Sequence, residues 1–142
     1  MAVQPDMNTK LTASEKGLYQ ILVADDDPAM VRLLQENLAE FGYTVRTAYD
    51  GQAVIRSALQ YRPDLIIMDV NMPMTSGLKA LEYLRARPDT SRIPVIFITG
   101  ELSKDIYPVI AATSRVAHMK KPLDLENLNS LIHLFLERYT TA

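Results

Sequence analysis

Five short strand-like segments, separated by longer amphipathic ones, constrain the fold of this chain more than any other feature. The strand-like segments are residues 21–24, 43–48, 65–68, 93–98 and 116–119. Helices are predicted between and after them, at residues 28–41, 52–61 and 78–84, within 103–113, and at 125–139, because apolar side chains recur there at helical spacing. Five strand–helix units in succession predict an α/β fold, with one parallel five-stranded sheet covered by helices on both faces.

The ends of the predicted helices are well marked except in the fourth. Asp27 and Asp124 are predicted N-caps, and Pro28 suits the first residue of a helix. Pro108 lies inside the fourth helical window, so we expect that helix to start late or to be distorted.

Composition limits the chemistry available to the 142 residues. The absence of Cys excludes disulfides, thiolate metal sites and cysteine nucleophiles, and two His are too few for a His-rich metal site. A net charge of −2 argues against a broad basic face for nucleic acid. No apolar segment approaches the roughly 20 residues that span a bilayer, and residues 1–17 lack the apolar run of a signal peptide. We therefore expect a cytoplasmic protein with no membrane or direct nucleic-acid partner.

Polar side chains follow four of the five predicted strands. They are Asp25 and Asp26 after the first, Asp69 after the third, Thr99 at the end of the fourth and Lys121 after the fifth. The carboxyl ends of parallel strands meet at one edge of the sheet, where such proteins have their working site. Three carboxylates there repel one another unless a cation lies between them, and an all-oxygen ligand set indicates Mg²⁺. A lysine and a hydroxyl beside that ion indicate a phosphoryl group as the anion.

These residues resemble the receiver domain of two-component response regulators, in particular the single-domain chemotaxis type. The resemblance covers roughly residues 19–139 and rests on five motifs in order, ILVADDD (residues 21–27), IIMDVNMP (66–73), SG (76–77), FITG (97–100) and KP (121–122). It implies a flavodoxin-like (βα)5 fold with strand order 2-1-3-4-5. The implied organisation is a flexible tail at residues 1–17, a stand-alone receiver at 18–139 and a short tail at 140–142.

The resemblance also implies a phosphorelay function. Asp69 would accept a phosphoryl group from a phosphohistidine on a histidine kinase or histidine phosphotransfer protein. Mg²⁺ would be bound by Asp26, Asp69 and the backbone carbonyl of Asn71, with Asp25 acting through a water. Lys121 would contact the phosphoryl oxygens and the Thr99 hydroxyl would move toward them. Such a domain assists only its own phosphorylation and dephosphorylation, and it signals to a downstream protein through the face of helix 4, strand 5 and helix 5.

Several residues depart from the family pattern or stand at positions that set the lifetime of the phosphoryl group. His118 stands where Tyr or Phe is usual, so the expected switch pair is Thr99 and His118, with a histidine that titrates near neutrality. Ser114 and Arg115 replace the usual Gly-Ala after helix 4. Asn71 and Glu101, each two residues beyond Asp69 or Thr99, resemble the chemotaxis-type pair and predict a short-lived phosphoryl state.

Other functions are compatible with parts of the pattern. Asp25 and Asp27 form an Asp-x-Asp pair suited to a Mg²⁺-dependent phosphohydrolase with an aspartate nucleophile, although Ala29 stands where a supporting Thr is expected. A flavodoxin-type binding module would need a glycine- and hydroxyl-rich phosphate loop, and three acids there would repel phosphate. A degenerate receiver that works without phosphorylation is a further alternative. Asp27 is better explained as a helix cap than as a site residue.

Overall fold

The computed structural model describes residues 19–100 and 106–140. Strands and helices alternate along this part of the chain as β1 (Gln20–Ala24), α1 (Pro28–Glu40), β2 (Thr44–Ala48), α2 (Gly51–Tyr61), β3 (Leu65–Asp69), α3 (Gly77–Arg85), β4 (Val95–Thr99), α4 (Ile106–Ala112), β5 (Val116–Lys120) and α5 (Leu125–Thr140). The five strands form one sheet in the order β2-β1-β3-β4-β5, and all neighbours are parallel. The predicted α/β fold and strand order are confirmed.

Each face of the sheet carries its own hydrophobic core, because successive side chains of a strand point to opposite faces. On one face, Ile21, Val23, Ile67, Ile96 and their neighbours pack against α1 and α5. On the other face, alternate residues of the same strands pack mainly against α2 and α3. The three central strands are therefore apolar on both sides, which explains their uninterrupted apolar runs.

The element boundaries differ from the predicted ones by one or two residues, which is the ordinary uncertainty of helix and strand ends. Asp27 and Asp124 accept hydrogen bonds at the starts of α1 and α5, as expected of N-caps. α5 includes Thr140, one residue beyond the predicted receiver boundary. The tail predicted at residues 1–17, the end of the chain at 141–142 and Glu101 lie outside the described residues. Within the described ranges, no helix combines the length and apolarity needed to cross a bilayer.

Pro108 is the third residue of α4 as described, and it does not interrupt the helix. A proline in a first turn removes no intrahelical hydrogen bond, since the first amides of a helix have no carbonyl partner within it. Arg115 follows with a φ of 62°, in the left-handed region where Gly is the common residue. The Arg85 guanidinium donates to the carbonyls of Ser114 and Arg115, and to that of Ile93 at 2.7 Å. Arg85 thus joins α3 to the segments before β4 and β5.

Gly77 brings α3 into close contact with the end of β3. A Cβ at this position would lie 2.4 Å from the carbonyl oxygen of Asp69 and 3.1 Å from Cε1 of Phe97. The Gly77 amide also donates to the Val70 carbonyl at 2.8 Å. A residue with a side chain would push α3 away from the strand that carries Asp69.

We expect Gly77→Ala to lower the free energy of unfolding by about 2 kcal/mol, because the added methyl group overlaps backbone and core atoms. Gly100→Ala is the matched control, since no described atom lies within 4 Å of a Cβ built there. Urea denaturation of the two variants and the wild type measures the difference. Equal stability of both variants would contradict the steric role of Gly77.

Candidate functional site at the carboxyl edge of the sheet

The structure brings the polar strand-end residues to one edge of the sheet. Asp69 and Thr99 are the last residues of β3 and β4. Asp25 directly follows β1, and Lys121 directly follows β5. Because β1, β3, β4 and β5 are consecutive parallel strands of the sheet, their carboxyl ends meet at the same edge, as the sequence predicts.

Asp25, Asp26 and Asp69 form an acidic cluster in which one carboxylate oxygen of each lies within 4.8 Å of the others. Asp25 and Asp69 are only 1% and 6% exposed, whereas Asp26 is exposed. The cluster is thus a shallow site with a buried floor and one acid open to solvent.

Lys121 connects the two buried acids of this cluster. Its Nζ donates to Oδ2 of Asp25 at 2.9 Å and to Oδ2 of Asp69 at 3.1 Å. Burial by itself would lower the pKa of Lys121, but the hydrogen bonds and charges of the two carboxylates outweigh it and raise the pKa above its ordinary value. The ammonium therefore remains charged at neutral pH. The Lys121 backbone is fixed separately, because its amide donates to the Thr99 carbonyl at 2.8 Å.

The second oxygen of each buried carboxylate accepts a backbone hydrogen bond. Oδ1 of Asp25 accepts from the Asp27 amide at 2.9 Å, and Oδ1 of Asp69 accepts from the Asn71 amide at 3.0 Å. Both carboxylates are therefore oriented from two sides before any ligand binds.

These amide contacts were missed in the sequence analysis, although a signal for them exists. An Asp side chain often accepts a hydrogen bond from the backbone amide two residues later in a turn. Asp27 and Asn71, two residues after Asp25 and Asp69, are residue types that favour turns. The contacts of Gly77 with the end of β3 had no comparable signal, because they depend on how separate elements pack.

The remaining predicted site residues lie at different distances from the cluster. Thr99 is fully buried at the end of β4, beside the Lys121 backbone. Asn71 is exposed in the loop after β3. His118 lies on β5 opposite Phe97, half-buried, with its ring edge-to-face against Tyr107 at 5.8 Å between centroids. His118 therefore lies at the contact between α4 and β5 and is not part of the acidic cluster.

The charges and donor types of the cluster fit a hard divalent cation. Three carboxylates face one ammonium, so two negative charges of the cluster remain unbalanced among these side chains. Asp26 is exposed and can turn toward an ion without breaking an observed contact of Asp25 or Asp69. Oxygen ligands with no His or Cys suit Mg²⁺.

Comparison with known proteins assigns this arrangement of strands and acids to a family. The model of the response regulator receiver domain matches residues 21–133. The chain belongs to the receiver domain family of response regulators. Receiver domains are phosphorylation-based signalling modules of two-component systems, so the resemblance found from the motifs is confirmed.

Solved structures and curated relatives agree with this assignment. Chemotaxis response regulator CheY4 of Vibrio cholerae is 27% identical, with a TM-score of 0.75 over 82% of this chain and 98% of CheY4. The receiver domain of sensor histidine kinase PA1611 from Pseudomonas aeruginosa, with a magnesium ion coordinated in its active site cleft, is also 27% identical, with a TM-score of 0.75 over 84% of this chain and 98% of that domain. Response regulator ArlR of Staphylococcus aureus is 35% identical over 85% of this chain.

The receiver is part of a longer protein in several relatives. The match spans 54% of ArlR. A Vibrio cholerae protein named "Probable cyclic di-GMP phosphodiesterase" is 30% identical over 92% of this chain, and the match spans 30% of that protein. The similarity therefore covers the receiver domain of these relatives, and it assigns none of their output activities to this chain.

We expect Lys121→Met to lower the free energy of unfolding by about 2 kcal/mol at pH 7, because two buried carboxylates lose their shared donor. The pKa of Lys121 is higher in the folded chain than its ordinary value of 10.5. Its stabilisation is therefore complete below that ordinary value and is lost as the pH rises through the higher folded value.

Urea denaturation of wild type and Lys121→Met between pH 7 and pH 11 or so tests this expectation. The difference in stability should be constant at first and narrow only at the alkaline end. Lys120→Met is the control, because the Lys120 side chain is exposed. A loss of stability equal to that of Lys120→Met would contradict the role of Lys121.

Proposed function

We propose that this chain is a phosphorylation-switched receiver in which Asp69 accepts a phosphoryl group from a partner phosphohistidine. The observation that carries the proposal is the surroundings of Asp69, a nearly buried carboxylate with Lys121 on one oxygen, the Asn71 amide on the other and two further acids beside it. A carboxylate reacts with a phosphoryl group only where positive charge neutralises the phosphoryl oxygens. Lys121 supplies one such charge at the required place.

The second positive charge would be Mg²⁺, held by Asp26, Asp69 and the Asn71 carbonyl, with Asp25 reaching it through a water. Support comes from the donor types of the cluster and from the magnesium ion in the similar PA1611 receiver domain. Bound there, the ion would neutralise phosphoryl oxygens and orient them toward Asp69.

The transfer itself exchanges one bond to phosphorus for another between the partner and Asp69. A carboxylate oxygen of Asp69 forms a bond to phosphorus as the bond from phosphorus to the partner's imidazole nitrogen breaks. The imidazole keeps that electron pair. Lys121 exchanges part of its contact with Asp69 for the new phosphoryl oxygens, and its raised pKa keeps it charged throughout.

Phosphorylation would then act through Thr99 and His118. New oxygens and charge at Asp69 would draw the Thr99 hydroxyl toward them, and the space that Thr99 leaves would change the packing of β5, where His118 contacts Tyr107. Tyr107 is 51% exposed on α4, so this contact lies on an accessible surface. We propose α4, β5 and α5 as the face read by the downstream protein, and a histidine kinase or phosphotransfer protein as the phosphoryl donor.

The burial of Asp25 weighs against a phosphohydrolase with its nucleophile at that position. Asp25 is 1% exposed against 6% for Asp69, so an incoming phosphoryl group reaches Asp25 less readily, although both acids have the same kinds of hydrogen-bond donor. Asp27 caps α1 through the Ala29 amide, so the Asp-x-Asp pair has a structural use. Asp69 is the more accessible of the two buried acids.

We expect Mg²⁺-dependent labelling of the chain by acetyl phosphate, abolished by Asp69→Asn. Asp26→Asn should raise the Mg²⁺ concentration needed for half-maximal labelling by about tenfold or more. Asp27→Asn is the matched control, since Asn also caps helices and should leave labelling unchanged. Mass spectrometry of the intact chain measures the label.

Two results of this experiment would contradict the proposal. Loss of the label with Asp25→Asn but not with Asp69→Asn would indicate the phosphohydrolase. No label on the folded wild type at any Mg²⁺ concentration would indicate a receiver that works without phosphorylation.

The label on Asp69 should decay within minutes, as the Asn71 and Glu101 pair predicts. Asn71→Met should slow the decay several-fold, because an apolar side chain at this exposed position excludes the attacking water while leaving the Asn71 backbone in place. Rapid removal of acetyl phosphate followed by timed mass spectrometry gives the rate. A wild-type label that lasts many hours in Mg²⁺ buffer would contradict the prediction.

Labelling should change the hydrogen-exchange protection of α4 and β5 if His118 takes part in the switch. His118→Ala should abolish that change, because it removes the ring contact with Tyr107, whereas His118→Tyr should retain it. His133→Ala on α5 is the control, since His133 pairs with the exposed Glu137 and not with this contact. An unaltered protection change in His118→Ala would exclude His118 from the switch.

A further inference from the structure

The first two residues of α2, Gly51 and Gln52, contact the loop that follows Asp69. We call these two residues the α2 start and residues 70–76 the β3–α3 loop. The Gly51 amide donates to the Pro73 carbonyl at 3.4 Å, and Nε2 of Gln52 donates to Oγ1 of Thr75 at 3.0 Å. Two hydrogen bonds therefore connect α2 to the middle of the β3–α3 loop.

Gly51 allows a contact that no other residue could make. A Cβ at Gly51 would lie 1.9 Å from the Thr75 carbonyl oxygen and 2.6 Å from its carbonyl carbon. Both are backbone atoms, so the loop itself would have to move by more than about 1 Å. Gly51 is in a first helical turn, where Ala is the better helix former, so close approach and not helix formation requires Gly here.

The part of the loop held by the α2 start has a strained backbone. The Thr75 amide donates to the Pro73 carbonyl at 2.8 Å, across Met74 with a φ of 71°. This is a γ-turn with a left-handed central residue, a backbone conformation that is unfavourable for a residue other than Gly. Met74 is 81% exposed, so packing of its side chain does not offset the cost. The contacts of Gly51 and Gln52 on either side of Met74 stabilise the turn.

The same loop determines the orientation of Asp69. The Asn71 amide, two residues before Pro73, donates to Oδ1 of Asp69 at 3.0 Å. The far end of the loop is closed by the bond from the Gly77 amide to the Val70 carbonyl. With Val70 and Gly77 fixed next to β3, a displacement at residues 73–75 can be taken up only at residues 71–72 and at Ser76, so Asn71 is one of the few residues that would move with it.

We propose that Gly51 and Gln52 are positioning residues for phosphoryl transfer to Asp69. They hold residues 73–75 of the loop and thereby place Asn71, whose amide orients Asp69 and whose carbonyl is the proposed third ligand of Mg²⁺. Neither residue touches the phosphoryl group or the ion. The proposal rests on the receiver function proposed above, and it adds α2 to the elements that build the site.

The test compares Mg²⁺ affinity by isothermal titration calorimetry with the rate of acetyl phosphate labelling. Gly51→Ala should raise the Mg²⁺ dissociation constant by about tenfold and should slow labelling even at saturating Mg²⁺. Gln52→Ala should raise it by about twofold to fourfold, as expected for one exposed hydrogen bond. Gln60→Ala is the matched control, because Gln60 is exposed on the same helix, at the opposite end from Gln52. It should bind and label as the wild type does.

A double-mutant cycle separates positioning from a general loss of stability. Gln52→Ala and Thr75→Val remove the same hydrogen bond, so the double variant should bind Mg²⁺ no more weakly than the worse single variant. Thermal unfolding of each variant is measured alongside. Lower melting temperatures with an unchanged Mg²⁺ dissociation constant would overturn the proposal, and so would additive effects in the cycle.

The outcomes also distinguish this proposal from the function on which it rests. If Gly51→Ala does not fold, the Mg²⁺ dissociation constants of Gln52→Ala and Gln60→Ala decide whether the α2 start positions the loop, since both variants replace exposed side chains. If the wild type binds Mg²⁺ but takes no label, the receiver function fails while the Mg²⁺ affinities still decide the positioning. If the wild type is labelled, and Gly51→Ala and Gln52→Ala bind Mg²⁺ and take the label as the wild type does, the positioning role of the α2 start is overturned while the receiver function stands.

Discussion

Repulsion between two buried carboxylates is the constraint on which the rest of the site depends. Asp25 and Asp69 lie side by side at the ends of neighbouring strands, and two buried carboxylates placed there repel each other unless a cation lies between them. Lys121 provides it from the far side of β4, so three strands have to end at the same level for the contacts to form. The parallel sheet meets that requirement through its register. The charge pairing at the site therefore depends on the strand order and register of the whole sheet. The net charge of −2 indicates neither the pairing nor the fold.

The support of Asp69 becomes less rigid with distance from the sheet. β3 is the central strand, fully buried between two cores, and it fixes the backbone of Asp69. Gly77 then allows α3 to start directly against that strand end. The β3–α3 loop, by contrast, is partly exposed and depends on contacts with another helix. In such a site Asp69, the proposed phosphoryl acceptor, is held more firmly than the loop beside it. The residues of α2 that meet the loop are candidates for tuning rates without altering the acceptor itself.

The sequence predicted the order of the elements and the members of the acidic cluster, because both follow from local patterns. Apolar runs and helical periodicity determine strand and helix order, and the residue after a run identifies a strand end. No local sequence pattern indicates the distances between separate helices, strands and loops. The close approach of Gly51 to Thr75 and the three carbonyls bound by Arg85 depend on tertiary packing. Burial also lowers the pKa of Arg85 to about 10, which a solvent-exposed helix end would not do. Ser114 and Arg115 stand in place of the usual Gly-Ala, and the left-handed backbone is at Arg115, the second of the two positions.

α4 differs from the other helices in how little of it is buried. Ile106 is its one buried residue among those described, whereas α3 and α5 have four each. The free energy needed to shift such an element is small, since few apolar contacts have to be broken and remade. A single covalent group on Asp69 can change the balance between two arrangements only by its difference in interaction with them, which is a few kcal/mol. Under the proposed function, a lightly anchored α4 is matched to the strength of the signal, whereas a well-packed fourth helix would not respond to phosphorylation.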